Sequence, residues 1–251
     1  MADAPLLRAV DLTRRFGGLA AVNGVSLELE VREVHAVIGT NGAGKSTLIN
    51  MLSGELPASS GRIEFSGHDV TAWPQPRRAR AGIGRSYQRT TIFADFSVFE
   101  NCRLAAQALH ARAWALWESA AHCAASVRAA HEALEATGLE EDAQRPAGTL
   151  SHGGKRQLEI AMCLATRPRV LLLDEPLAGM GAEETERMLA LLDQLKDEHA
   201  VLLVEHDMDA VFRIADRITV MVNGEVIASN TPHHIRQDRE VQIAYLGEAS
   251  V

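Results

Sequence analysis

Nowhere in the chain do ~18 apolar residues run together, the length a helix needs to cross a bilayer. The start, Met1-Ala2-Asp3-Ala4-Pro5, lacks the basic residues and apolar run of a secretion signal. Together these absences predict a cytoplasmic chain. Cysteine is scarce: Cys102, Cys123 and Cys163 show no CxxC spacing, and their odd number predicts reduced thiols rather than a disulfide framework. The ten histidines include no HExxH frame and no zinc-like pattern with cysteine, so they read as surface and packing residues. Basic charge is in deficit, and a net charge of −8 argues against broad contact with nucleic acid. The one basic cluster, Arg77-Arg78-Ala79-Arg80, is short and reads as a solvated helix face. No internal repeat and no low-complexity linker divides the chain.

What is present fits one α/β domain with a helical lobe inserted. Val25, Leu27, Leu29 and Val31 alternate with polar residues, the period-2 signal of a half-buried strand. A short apolar strand over Val34 to Ile38 runs into a glycine-rich turn, and Ser46 to Leu52 follows as a helix. Gly61 to Phe65 reads as another strand, closed by Ser66-Gly67. From Leu104 to Ala136 the chain is rich in helix formers and free of proline, and Gly138 is placed to end the last helix. Trp114 and Trp117, three apart, fall on one face there and read as packing residues. Val170 to Leu173 and Ala200 to Val204 are unbroken apolar runs, as parallel strands covered on both faces require. Glu183 to Leu195 between them repeats apolar residues at helical spacing, completing a βαβ unit. Asn223-Gly224 between two strand-like runs predicts a type I′ hairpin.

Gly39-Thr40-Asn41-Gly42-Ala43-Gly44-Lys45-Ser46-Thr47 matches the phosphate loop GxxxxGK[ST] in full. Glycines let the backbone turn tightly enough for its N–H groups to face phosphate oxygens. The helix that follows adds its positive N-terminal end. Lys45 is placed to reach the β- and γ-phosphates, and the Ser46 hydroxyl can ligate Mg²⁺. Val170-Leu171-Leu172-Leu173-Asp174-Glu175 supplies two carboxylates at the C-terminal end of a buried strand, where ligands of open α/β sheets sit. Asp174 is expected to hold Mg²⁺ through water, and Glu175 to polarise the attacking water as general base.

With these motifs in order, the chain resembles the ATP-binding subunit of ABC transporters over essentially its whole length. The implied fold is a P-loop ATPase core with an N-terminal antiparallel β-subdomain and an inserted helical subdomain. The ATP-binding domain would span 6–241, with the helical part about 90–160 and a tail over 242–251. Gln88, in Gly84-Arg85-Ser86-Tyr87-Gln88, resembles the glutamine that senses Mg²⁺ and contacts the membrane partner. Leu150-Ser151-His152-Gly153-Gly154 stands where the family carries LSGGQ. His152 replaces the first glycine and Gly154 the glutamine, while Ser151 and Gly153 remain to bind γ-phosphate. His206, in Glu205-His206-Asp207, resembles the switch histidine that contacts γ-phosphate. Phe16 resembles the aromatic that stacks on adenine.

The resemblance implies ATP and Mg²⁺ as cofactors and a head-to-tail pair of ATP-binding subunits, identical or paralogous, with two nucleotides between them. It also implies transmembrane permease partners on the cytoplasmic face of the inner membrane and, indirectly, an external substrate-binding protein. The stretches Ser97-Val98-Phe99-Glu100-Asn101, Arg156 to Ala161, Pro176 to Met180 and Tyr245-Leu246-Gly247 resemble the branched-chain amino-acid uptake group. Subunits for urea or amide uptake and for lipopolysaccharide extraction are similar as well. A soluble ABC ATPase acting on DNA or ribosomes stays as an alternative, though the stretch between Gln88 and the signature holds no heptad array. Among Ile92, Phe93, Phe96, Val98 and Phe99, some are expected to face the core and a few to form a groove for a permease helix.

Overall fold

The computed structural model describes residues 4–87, 91–110 and 123–246. Gln88, Trp114, Trp117 and Gly247 lie outside the described residues.

Two sheets organise the chain. The first is antiparallel, built from β1 (Leu7–Phe16), β2 (Leu19–Leu29), β4 (Ser60–Phe65) and β5 (His68–Asp69) in the order β2-β1-β4-β5. Along β2 the alternation works as expected, with Val25, Leu27 and Leu29 buried between exposed neighbours. The strand stops at Leu29, however, and Val31 is 53% exposed. Glu33 Oε2 accepts the Glu30 N–H at 2.7 Å, which turns the chain before the next strand and carries Val31 out of the pleat.

The second sheet contains β3 (Val34–Gly39), β6 (Ile83–Arg85), β7 (Val170–Asp174), β8 (Ala200–Val204), β9 (Arg217–Val222) and β10 (Glu225–Asn230), ordered β10-β9-β3-β8-β7-β6. Its pairs are parallel except for the β9–β10 hairpin. That hairpin turns at Asn223 and Gly224, with φ of 50° and 86°, as a type I′ turn demands. Apolar runs make sense in β7 and β8 because both faces are covered. Leu171, Leu173, Val201 and Leu203 join the core under the helical lobe. Val170, Leu172, Ala200, Leu202 and Val204 join the core shared with the antiparallel sheet.

Helices α1 (Lys45–Ser53) and α2 (Gln75–Ala81) precede β6, and α3 (Val98–His110), α4 (Ala124–Thr137) and α5 (His152–Leu164) form the helical lobe. Gly138 ends α4 in the left-handed conformation at φ 68°, its N–H bonding back to Leu134 and Glu135 carbonyls. Next come α6 (Ala182–Leu195), α7 (Met208–Ile214), α8 (Pro232–Gln237) and α9 (Arg239–Leu246).

One sequence expectation is corrected here. Arg78 does not lie on a solvated face; it is 2% exposed. Its guanidinium donates to the carbonyls of Met51 at 2.8 Å, Leu52 at 2.9 Å, Thr71 at 2.9 Å and Trp73 at 3.0 Å. Met51 and Leu52 belong to the last turn of α1, whose carbonyls lack the usual partners further along a helix; the Gly54 N–H reaches only Met51, at 3.1 Å. A buried cation there satisfies them and favours the negative end of the helix dipole. Burial lowers the Arg78 pKa to about 10, which leaves it charged at neutral pH.

Candidate functional site

The phosphate loop connects β3 to α1. At its last bend Gly44 has φ 99°, and a Cβ there would lie 2.3 Å from the Ala21 carbonyl oxygen. No side chain other than hydrogen can stand at that position without moving β2. Helix α1 then begins with no side-chain cap, so its first N–H groups stay available to an anion. Ala21, Asn41, Gly42, Ala43, Gly44, Lys45, Ser46, Thr47 and Glu175 line a cavity of about 200 Å³ at this point.

Lys45 folds back over the loop, its Nζ donating to the carbonyls of Gly39 at 2.7 Å and Thr40 at 3.1 Å. Burial lowers its pKa, and the carboxylates of Glu175 and Asp174 oppose that shift. An ammonium facing two carboxylates across a loop of N–H groups is suited to a polyphosphate.

Asp174 closes β7 and is 3% exposed. Burial raises its pKa first of all, and the positive charge of Arg85, 3.8 Å away, works against that. Arg85 is itself held by Ser53, Glu55 and Asn50. Asp174 Oδ1 is buried and makes no hydrogen bond. An orphaned carboxylate oxygen beside a phosphate loop, with the Ser46 hydroxyl on the exposed side, fits a hard divalent cation such as Mg²⁺.

Glu175 follows in the left-handed region, at φ 51°, an uncommon conformation for a residue with a side chain. Its N–H donates to Val204 O at 2.9 Å, which pins it to the end of β8. The next turn is fastened from beneath. Leu177 N–H donates to Glu205 Oε1 at 2.8 Å, and His206 N–H donates to Glu205 Oε2 at 3.1 Å. Glu205 is fully buried, and burial raises its pKa against the pull of those two bonds. His206 projects outward with a side chain 62% exposed. Sequence reading missed Glu205 and Arg85. Glu205 adjoins His206 and Arg85 stands three residues before Gln88, but nothing in the pattern announces that either side chain is buried.

Ser151 and Gly153 do not line the phosphate-loop cavity. Ser151 caps α5, and it shares a separate cavity of about 600 Å³ with Gly153, Gly154, Glu184, Arg145 and Arg187. His152 Nε2 lies 2.9 Å from Ala178 O, so the residue that departs from the signature ties it to the turn after Glu175. Phe16, at the end of β1, is 48% exposed, does not line the phosphate-loop cavity, and carries the Arg14 guanidinium 4.8 Å from its ring centre. The role expected of Gln88 falls on a residue outside the described ones.

A largely parallel sheet in which β3 delivers a glycine loop, with β7, on the far side of β8, leading into two acids, defines a P-loop nucleotide-binding protein. Comparison with known proteins narrows the class. The family model described as ABC transporter matches residues 22–178. The high-affinity branched-chain amino acid transport ATP-binding protein BraF of Pseudomonas aeruginosa is 43% identical over 98% of this chain and 99% of its own. Its counterpart LivG of Escherichia coli is 41% identical over 98% and 99% respectively. The crystal structure of the ADP conformation of MJ1267, an ATP-binding cassette of an ABC transporter, matches with a TM-score of 0.85 at 30% identity, covering 98% of this chain and 100% of that one. The chain belongs to the ABC transporter family, as an ATP-binding cassette that hydrolyses ATP.

Proposed function

We propose that this cassette powers import of branched-chain amino acids, working from the cytoplasmic face of the membrane through permease subunits. Identity to BraF and LivG over almost the full length of all three chains is the observation that carries this reading. No described helix is long and apolar enough to cross a membrane, and in this reading permease subunits supply the transport path. The ATP-binding unit is taken as 6–241, with its helical part about 90–160.

In this reading the phosphate-loop N–H groups and Lys45 bind the nucleotide's phosphates, and Phe16 stacks on adenine. Ser46, Asp174 and Gln88 would hold Mg²⁺, which supplies charge neutralisation on the phosphates when bound. Glu175 accepts the proton of the attacking water, and His206 orients the γ-phosphate. Ser151 and Gly153 serve the nucleotide of a second cassette, because they stand at a cavity apart from their own phosphate loop. Using one surface twice generates a two-fold pair with two nucleotides between the chains. ATP then stabilises the closed pair by contacts that hydrolysis removes.

The test is uptake. Cells lacking this chain should lose high-affinity accumulation of labelled leucine, isoleucine and valine, and regain it with the wild-type chain but not with Lys45→Ala. Normal amino-acid uptake alongside lost urea uptake would move the assignment to the amide importers.

A further inference from the structure

Ser151 makes hydrogen bonds in two directions. Its Oγ accepts the Gly154 N–H at 3.1 Å, capping α5, and donates its own proton to Glu184 Oε1 at 2.8 Å. The same Glu184 oxygen accepts the Gly153 N–H at 3.2 Å. A Cβ on Gly153 would fall 2.7 Å from the Glu184 carboxyl, so the glycine lets that side chain lie against the helix end. Glu184 comes from the first turn of α6, so the contact joins the starts of two helices. Hydrogen bonding from Ser151 holds the carboxyl below its ordinary range, and it is ionised at neutral pH.

We propose that Glu184 is a positioning residue: its carboxylate competes for the Ser151 and Gly153 donors with the terminal phosphate of the partner's nucleotide, which takes them when the pair closes. The proposal rests on the shared-site reading above. A hydroxyl proton and one N–H serve a single anion well, and two anions at the same donors repel. Closure therefore requires Glu184 to rotate away. Arg187, three residues along α6 on the same face, lines the same cavity and attracts the Glu184 carboxylate, offering it a second resting place. Until a triphosphate arrives, Glu184 keeps the signature donors occupied and raises the ATP concentration that closure needs.

The test uses the full chain with Glu175→Gln, which slows hydrolysis so that closed pairs accumulate. Sedimentation across a MgATP series gives the concentration for half-maximal dimer. Adding Glu184→Ala should lower it roughly 1.5-fold to fivefold, the scale of one exposed charged contact. Glu184→Gln keeps the side chain's size and its acceptor oxygen but not its charge, and should shift the midpoint the same way by less. A residue that merely stabilised α5 would shift it upward on removal. If the Glu175→Gln chain pairs with ATP and Glu184→Ala leaves the midpoint unchanged or raises it, the role of Glu184 is overturned. A Glu175→Gln chain that never pairs at any MgATP concentration overturns the shared site itself.

Discussion

The backbone N–H of Leu177 donates to the fully buried carboxylate of Glu205 at 2.8 Å, joining the turn after Glu175 to the residue before His206. Replacing Glu205 by alanine leaves two N–H groups, those of Leu177 and His206, without their acceptor. At ~1–3 kcal/mol for each unsatisfied buried group, the loss of stability should be about 2–6 kcal/mol. Urea unfolding at constant slope would measure it, and ATP turnover should fall because both loops loosen together.

Burial raises the pKa values of Asp174 and Glu205, and in each case desolvation is the largest cause. As pH climbs through the ordinary carboxylate range, the unfolded chain releases these protons first while the folded chain retains them. The folded state then binds more protons, so these two groups make stability fall as pH rises, and below that range they add no slope. Asp174→Asn removes one of them. As pH rises above about 4, the ordinary range of an aspartate, the stability of that variant relative to wild type should increase, measured by thermal unfolding at each pH. Its MgATP hydrolysis should be lost, since a neutral amide replaces the carboxylate charge assigned to Mg²⁺.

Lys45→Ala should weaken ATP binding about tenfold to a hundredfold, the equivalent of ~1.5–3 kcal/mol for bonds made by a charged group. Circular dichroism should remain that of the wild type, because the loop backbone carries the turn. Unchanged affinity in an equilibrium titration would move the nucleotide away from this loop.

Phe93 and Phe96 stack with ring centres 5.5 Å apart and remain 54% and 46% exposed, whereas Val98 is buried. Buried Asn101 holds the loop through the Phe93 N–H at 2.8 Å and its carbonyl at 3.1 Å. Aspartate at Phe93 or Phe96 should change stability by less than about 0.5 kcal/mol and spare the ATPase of the free subunit. Uptake by the assembled transporter, and co-purification with the permease, should both fall. Full uptake in those variants would place the docking surface elsewhere.

Much of this architecture is legible in the chain before any coordinates. Apolar runs announced β7 and β8, and Asn223-Gly224 announced its hairpin, because each depends on local pattern alone. The phosphate loop and Asp174-Glu175 were legible for the same reason. Arg78, Glu205 and Glu184 were not. Each is a charged side chain whose role is set by which distant backbone groups the fold brings against it. Arg78 meets the end of α1, Glu205 spans two loops, and Glu184 reaches the start of α5. Sequence period reports which face a residue occupies, and it says nothing about whose orphaned N–H or carbonyl waits there.

The most direct test of the account is turnover against binding in Glu175→Gln. Glu175 is held in a left-handed conformation at the rim of the phosphate-loop cavity, next to a lysine that folds over the loop. If its carboxylate takes the proton from the attacking water, the variant should bind MgATP as the wild type does. Its hydrolysis should drop by roughly 10²–10⁴. Hydrolysis at the wild-type rate with normal binding would contradict the assignment of Glu175 as the base.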